Sequence, residues 1–246
     1  MDTAAAAAGV LLIKACEDGL EDMSILTYLL NQGASASSRN SHGSMPLHFA
    51  CFKGHREVAL LLVDRGADIG VGNNDGRTPL HCACSKGHKE VALLLVNRGA
   101  EIGVGDNDGR TPLHLACLNG HKEVALLLVD RGADIGVGDN NGRTPLHCAC
   151  SKGHKEVALL LVDRGAEIDV KNFQNLTPLF YAEQKGFGSE LQRAREKYLS
   201  WMRRKAFLSV LIDRGCVQTA SGRRTDFNTP INRVLRVAHR EVASFL

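Results

Sequence analysis

The chain has 246 residues, of which 44% are hydrophobic, 23% charged and 5% aromatic, and its formal net charge is +3. This composition is typical of a protein with a packed core, and no apolar run approaches the roughly 20 residues that cross a bilayer. The opening "MDTAAAAAGVLLIKA" has Asp2 where a secretion signal carries a basic residue. We therefore expect an intracellular protein, cytoplasmic or nuclear, whose eight cysteines stay reduced.

The net charge is unevenly divided along the chain. Residues 1–186 contain 18 Lys and Arg against 22 Asp and Glu, whereas residues 187–246 contain 12 against 5. The basic C-terminal part is either an interaction surface or an exposed helix rich in arginine.

The first predicted element, 1–41, is an irregular pair of helices. It keeps a closing Gly33-Ala34 but has two extra residues between its glycines, and it lacks the "TPLH" motif of the later units. Terminal units of a repeat array are usually atypical because one side faces water.

Four regular units of equal length follow without a gap. They are 42–74, 75–107, 108–140 and 141–173, and the second and fourth are identical at 27 of 33 positions. In the second unit, Thr78 and Pro79 predict a helix start, Gly87 its end, and "KEVALLLVNR" a second helix with one apolar face. Two helices of about ten residues cannot bury their apolar faces alone, so neighbouring units must stack.

"DGRTPLHLACLNGHKEVALLLVDRGADI" at 108–135 resembles the consensus of the ankyrin repeat. The resemblance implies an all-α solenoid of stacked helix-turn-helix units with projecting hairpin-like loops. It also implies a protein that binds other proteins and needs no cofactor.

The recurrent "HCACSKGH" raises the question of a metal site. Cys82 and Cys84 lie about 200° apart around a helix and cannot face one ion, and the resemblance gives both histidines structural roles. Cys51, Cys84, Cys117 and Cys150 occupy the same position in successive units, and Cys16 precedes them. Packed helices lie about 8–10 Å apart, too far for disulfides. We expect buried thiols, with no metal or catalytic site.

The unit 174–225 contains an insertion near 187–204. Its apolar residues recur at helical spacing and include the only tryptophan, Trp201. Two interpretations remain: a lengthened second helix lying on the stack, or an exposed docking helix. An incomplete unit, 226–246, ends the predicted array, which we take as one domain of 1–246.

Candidate partner-binding residues follow from the resemblance, which places contacts at loop tips and on the inner helices, and from the insertion. In the regular units they are Ser44, Phe52, Lys53, Asp75, Arg77, Ser85, Lys86, Asp108, Arg110, Leu118, Asn119, Asn141, Arg143, Ser151 and Lys152. In the insertion they are Tyr198, Trp201, Arg203 and Arg204. We expect Arg77, Arg110 and Arg143 to form a basic column, and we expect Asp75 and Asp108 to offset part of its positive charge.

Three functions compete. The first is a monomeric scaffold or adaptor without catalytic activity, which binds another protein and no small-molecule substrate. The second is a targeting module of a larger protein. The third is a binder of nucleic acid or acidic lipid through the basic C-terminal part, and such binding weakens steeply with salt. No catalytic arrangement is separable from the repeat, so an enzyme is not expected.

Overall fold

The computed structural model describes residues 3–213, and within that range all regular structure is helical. The first pair of helices is α1 (Thr3–Asp18) and α2 (Met23–Asn31). The four regular pairs are α3 (Pro46–Lys53) and α4 (Arg56–Asp64), α5 (Pro79–Lys86) and α6 (Lys89–Asn97), α7 (Pro112–Leu118) and α8 (Lys122–Asp130), and α9 (Pro145–Lys152) and α10 (Lys155–Asp163). The last pair is α11 (Pro178–Gln184) and α12 (Gly188–Asp213). The predicted all-α stack of helix-turn-helix units is confirmed.

The start and end of each short inner helix follow from local chemistry. Thr78 is extended, with φ −77° and ψ 165°, and Pro79 occupies the first helical position, where no N–H is needed. Gly87 ends the helix at φ 79°, a left-handed conformation that costs glycine little. A Cβ on Gly87 would also lie only 2.5 Å from His121 Nδ1, so this position is closed to larger residues.

The core is a series of layers of small and medium apolar side chains. In each regular unit, the inner helix contributes a Leu, an Ala and a Cys that are at most 1% exposed. The outer helix adds Val, Ala and Leu, which for α6 are Val91, Ala92 and Leu95. Successive inner helices pack on one another, α3 on α5, α5 on α7, α7 on α9 and α9 on α11. Each layer is therefore completed by its neighbours, as the repeat predicts.

The chain divides into two compact units, Met1–Arg195 and Glu196–Leu246. The predicted boundaries of the array stay a prediction, and the expected incomplete unit 226–246 lies outside the described residues. In the part of the chain that the structure describes, no helix is long and apolar enough to cross a membrane.

The insertion forms part of the long helix α12. In the first unit, Phe187 and Leu191 are buried and Ala194 packs against the core. Two ion pairs add to this packing: Lys155 Nζ lies 3.0 Å from Glu190 Oε1, and Arg195 Nη1 lies 3.4 Å from Asp169 Oδ2. In the second unit, Leu199, Trp201 and Met202 are 40–42% exposed. The beginning of the insertion thus lies against the core of the first unit, as the first interpretation expects, and a docking role for the exposed part stays a prediction.

Candidate functional site

The "TPLH" histidine is held between its own helix start and the next unit. In α5, His81 Nε2 lies 2.9 Å from the Arg110 carbonyl oxygen, which can only accept, so Nε2 carries the proton. Nδ1 is therefore the acceptor, and it lies 3.2 Å from the Thr78 backbone nitrogen and 2.9 Å from Thr78 Oγ1. The imidazole is neutral in this arrangement, and it ties two units together.

The same arrangement recurs through the stack. The bonds run from His48 to the Arg77 carbonyl, from His81 to that of Arg110, from His114 to that of Arg143 and from His147 to that of Leu176, at 2.9–3.1 Å. Burial lowers the pKa of all four imidazoles, that of His48 to about 4. The structural role that the resemblance implied for these histidines is confirmed.

The "GH" histidine points the other way along the stack. His88 Nε2 lies 3.0 Å from the Phe52 carbonyl oxygen, and His121 and His154 make the same contact at 3.1 Å with the carbonyls of Ser85 and Leu118. His88 is the N-cap residue of α6, at the start of the second helix of its unit. Its bond to the end of the preceding inner helix was not predicted.

The cysteines of the described residues are buried free thiols: Cys16, Cys51, Cys82, Cys84, Cys117, Cys148 and Cys150. Burial raises the pKa of every one, to about 11 for Cys148 and to about 12 for Cys16. The thiolate is the reactive form of cysteine, so these protonated, buried side chains have low reactivity. Within residues 3–213 no group of three or more His, Cys, Asp or Glu side chains is placed to hold a metal ion.

The turn before each inner helix contains a polar residue that sequence reasoning missed. Asp106 is 6% exposed, and its Oδ1 accepts from the backbone N–H groups of Asp108 and Arg110 at 3.0 and 2.9 Å. The equivalent positions of the other units close their turns in the same way; they are Asn40, Asn73, Asp139 and Asn172. The available signal was the unbroken Asn/Asp column at the spacing of the repeat.

The buried carboxylates neutralise the predicted arginine column. Arg110 Nη2 lies 3.0 Å from Asp106 Oδ2 and 2.5 Å from Asp108 Oδ2, and Arg143 Nη2 lies 2.8 Å from Asp139 Oδ2. Burial alone would raise the pKa of Asp106, but hydrogen bonds from Arg110 outweigh it and hold that pKa below its usual range. Arg110 and Arg143 thus have ion-pair partners inside the array.

Arg77 is the exception in this column. Its own turn contains Asn73 instead of a carboxylate, and its nearest acid is Asp106 of the next unit, 3.6 Å from Nε. Nε is buried and has no hydrogen bond. Arg77 therefore has the weakest internal partner of the three arginines.

The other predicted contact residues differ in how much surface they offer. Phe52 is 42% exposed, with the Lys86 ammonium 4.4 Å from its ring centre. Ser44 is only 8% exposed. The hydroxyls of Ser85 and Ser151 donate to carbonyls of their own helices, as does the Asn119 amide, and Leu118 is half-buried. Besides Phe52, six candidates of the regular units are exposed: Lys53, Asp75, Lys86, Asp108, Asn141 and Lys152.

The candidates of the insertion form one group on α12. The rings of Tyr198 and Trp201 have centres 6.1 Å apart, and Lys205 Nζ lies 5.1 Å from the Trp201 ring centre. Arg203 and Arg204 are exposed beside them. This stretch, 198–205, is called the aromatic-basic segment below.

Family models described as ankyrin repeats match residues 29–81, 65–139, 99–172 and 132–191, which together span most of the chain. The chain belongs to the ankyrin repeat family. Ankyrin repeats generally mediate protein–protein interaction and are typically non-catalytic. No curated protein matches this ankyrin repeat chain.

Proposed function

We propose that this chain is a scaffold or adaptor that binds another protein without catalysing a reaction, and that the aromatic-basic segment makes the main partner contact. The observation that carries this proposal is the exposure of Leu199, Trp201 and Met202, each 40–42%, on a helix with exposed arginines. Trp and Arg are among the residues most enriched at binding hot spots.

The regular units support the proposal because their polar residues repeat from unit to unit and are bonded inside the stack. Their histidines bond to neighbouring carbonyls and their thiols are buried. Two of the three arginines of the column, Arg110 and Arg143, are paired with buried aspartates of their own turns. These residues are therefore engaged within the stack, whereas the insertion that supplies the exposed aromatic and basic side chains of α12 has no counterpart in the regular units.

The first test removes the segment's anchors without disturbing the stack. A W201A/R203A variant and the wild type are used to capture partners, and affinity for each captured protein is then measured. We expect binding to weaken about tenfold or more, with an unchanged helical circular dichroism signal and melting temperature, because Trp201 is 42% exposed.

A matched control separates this segment from the arginine column. Phe52→Ala removes an aromatic side chain of an inner helix that is as exposed as Trp201, at 42%. R77Q/R110Q/R143Q removes the positive charge of the arginine column. Partners that survive W201A/R203A but are lost in R77Q/R110Q/R143Q, with the fold intact, would contradict the proposed site and favour the column.

A second candidate function, binding to an anionic surface, is favoured by the exposed charges of Arg203 and Lys205. Binding to duplex DNA or to vesicles with acidic lipid would then fall steeply as salt rises. Absence of such binding at low salt removes this candidate and leaves the protein partner.

A further inference from the structure

The exposed part of α12 carries far more positive than negative charge. Residues 196–206 contain one acid, Glu196, and four basic residues, Lys197, Arg203, Arg204 and Lys205. Arg203 and Lys205 are both exposed to solvent. Partners that associate present opposite charges to one another, and like charges that meet across an interface are costly. The partner that fits this stretch of the helix is therefore acidic.

The apolar side chains of this stretch are spread around the helix. At about 3.6 residues per turn, Trp201, Met202 and Leu199 lie within an arc of about 160°. All three are 40–42% exposed, and α12 continues as a helix to Asp213. A flat surface or an extended peptide reaches one side of such a helix, whereas a concave surface covers the whole arc. The partner that fits therefore has an apolar groove that accepts a helix.

One positive charge lies within the apolar arc itself. Lys205 follows Trp201 by about one helical turn, and its Nζ lies 5.1 Å from the centre of the Trp201 ring. Insertion of the arc into lipid would carry this ammonium group towards hydrocarbon, which is costly, whereas carboxylates at the edge of a protein groove can pair with it. Duplex DNA attracts basic side chains through its phosphates, but it would leave Leu199 and Met202 uncovered. Both comparisons favour a protein groove with acidic edges.

We infer that the partner of the aromatic-basic segment is a Ca²⁺-loaded sensor protein built from EF-hands. Such sensors are rich in Asp and Glu because carboxylates hold the ion. Ca²⁺ opens a Met-rich apolar groove between their helices, and this groove takes basic amphipathic helices. The inference rests on the proposed function, since it names the class of partner for the same segment. It makes the partner contact of this chain depend on Ca²⁺.

Trp201 is the only tryptophan of the chain, so its fluorescence reports directly on the segment. The full chain is titrated with calmodulin, the probe for this class of sensor, in Ca²⁺ and again in EGTA, and the spectrum of calmodulin alone is subtracted. We expect a blue shift in Ca²⁺ because the indole leaves water for an apolar groove, with a dissociation constant of about 1 μM or lower. In EGTA the groove is closed, and the dissociation constant should rise at least about tenfold.

A charge-reversal variant, R203E/K205E, keeps Trp201 as the reporter. It should weaken binding in Ca²⁺ at least about tenfold because acidic side chains would then face an acidic partner. The matched control is K89E/K122E, which changes the net charge equally at two exposed lysines that begin outer helices. An acidic side chain is favourable at a helix start, so this variant should fold and bind like the wild type. Circular dichroism checks that both variants keep their helices.

The inference is overturned if calmodulin does not bind, if it binds equally in Ca²⁺ and EGTA, or if R203E/K205E binds unchanged. A blue shift with vesicles of acidic lipid or with duplex DNA, but none with calmodulin, overturns it in favour of an anionic surface. The proposed function fails separately, when captured partners survive W201A/R203A. If those partners are lost in W201A/R203A while calmodulin does not bind, the segment remains a contact site and its assignment to a Ca²⁺ sensor is wrong.

Discussion

At the scale of single residues, two imidazoles pointing in opposite directions connect each regular unit to its neighbours. His114 donates forward to the Arg143 carbonyl, while His121 donates back to the Ser85 carbonyl. The first is fully buried and the second is half-buried. An unpaired buried polar group costs more than an exposed one, so the two bonds contribute unequally to stability.

Substitution of these histidines should show that inequality. His114→Ala leaves the Arg143 carbonyl and the Thr111 hydroxyl and N–H short of partners, and we expect it to lower the free energy of unfolding by about 1–3 kcal/mol. His121→Ala, the matched control, should cost about 0.5–1.5 kcal/mol because water reaches its site. Urea unfolding followed by circular dichroism measures both. Equal losses would contradict the assigned roles.

The buried histidines also predict a dependence of stability on pH. Burial lowers the pKa of His48 from 6.5 to about 4, and lowers those of His81, His114 and His147. As pH falls below 6.5, the unfolded chain takes up protons that the folded chain refuses. Stability is therefore full above that pH and is lost towards pH 4, by up to about 1.4 kcal/mol per pH unit for each histidine.

Urea midpoints at about pH 7 and about pH 5 test this dependence. Asp106 and Asp139 do not account for a loss in this range, because their folded pKa values lie below 3.8 and their stabilisation falls only in stronger acid. Equal midpoints at the two pH values would show that the histidines are not buried and neutral.

The thiols report on local opening. A thiol reagent needs thiolate, and burial raises the pKa of Cys16 and Cys150 to about 12. We expect Cys16, in the end unit, to react faster than Cys84 and Cys117 in interior units, because end units have one neighbour only. Mass spectrometry after timed alkylation of the native chain gives the order. Fastest reaction at Cys117 would contradict stacking as the source of protection.

At the scale of elements, side-chain bonds link the end of each outer helix to the outer helix of the preceding unit. Arg98 Nη1 lies 2.6 Å from Asp64 Oδ1 of the preceding unit, Arg131 Nη1 lies 2.8 Å from Asn97 Oδ1, and Arg164 pairs with Asp130. Each of these bonds joins the end of one outer helix to the end of the outer helix before it. Because the polar contacts repeat with the core, a whole unit is interchangeable with its neighbour.

Deletion of 108–140 should therefore give a folded protein. His81 would then face the carbonyl of Arg143 in place of that of Arg110, and the equivalent valine and leucine layers would meet again. We expect a monodisperse product with helical circular dichroism. The matched deletion of 108–124 removes α7 and the first three residues of α8, which leaves the rest of α8 without its inner helix, and the product should aggregate. Similar behaviour of the two products would contradict nearest-neighbour stabilisation.

The helix pairs and their caps could be predicted because Thr-Pro starts, glycine ends and apolar spacing act locally. The exposed N-terminal residues and the paired arginines could not. Ile25 lies one repeat length before Val58, which is 2% exposed, yet Ile25 is 45% exposed. The pairing of the arginines depends on Asp106 and Asp139, whose carboxylates accept backbone N–H bonds within their own turns and thereby lie beside Arg110 and Arg143.

At the scale of the whole molecule, the basic part of the chain begins where the regular stack ends. Residues 187–246 carry 12 Lys and Arg against 5 Asp and Glu. The first compact unit closes at Arg195, after Phe187 and Leu191 have entered its core. The start of α12 thus serves stability, and its continuation supplies the proposed partner surface.

Two truncations separate these roles. A chain of residues 1–195 keeps Phe187, Leu191 and both ion pairs of α12, so we expect cooperative urea unfolding with little loss of stability. A chain of residues 1–186 loses two buried side chains, of which Leu191 is fully buried. It should be less stable than 1–195 by about 2–5 kcal/mol, the usual effect of losing a large core side chain. Partner binding should be absent from both truncated chains. If 1–195 bound partners like the full chain, the aromatic-basic segment would not be the contact site, whatever the stability of 1–186.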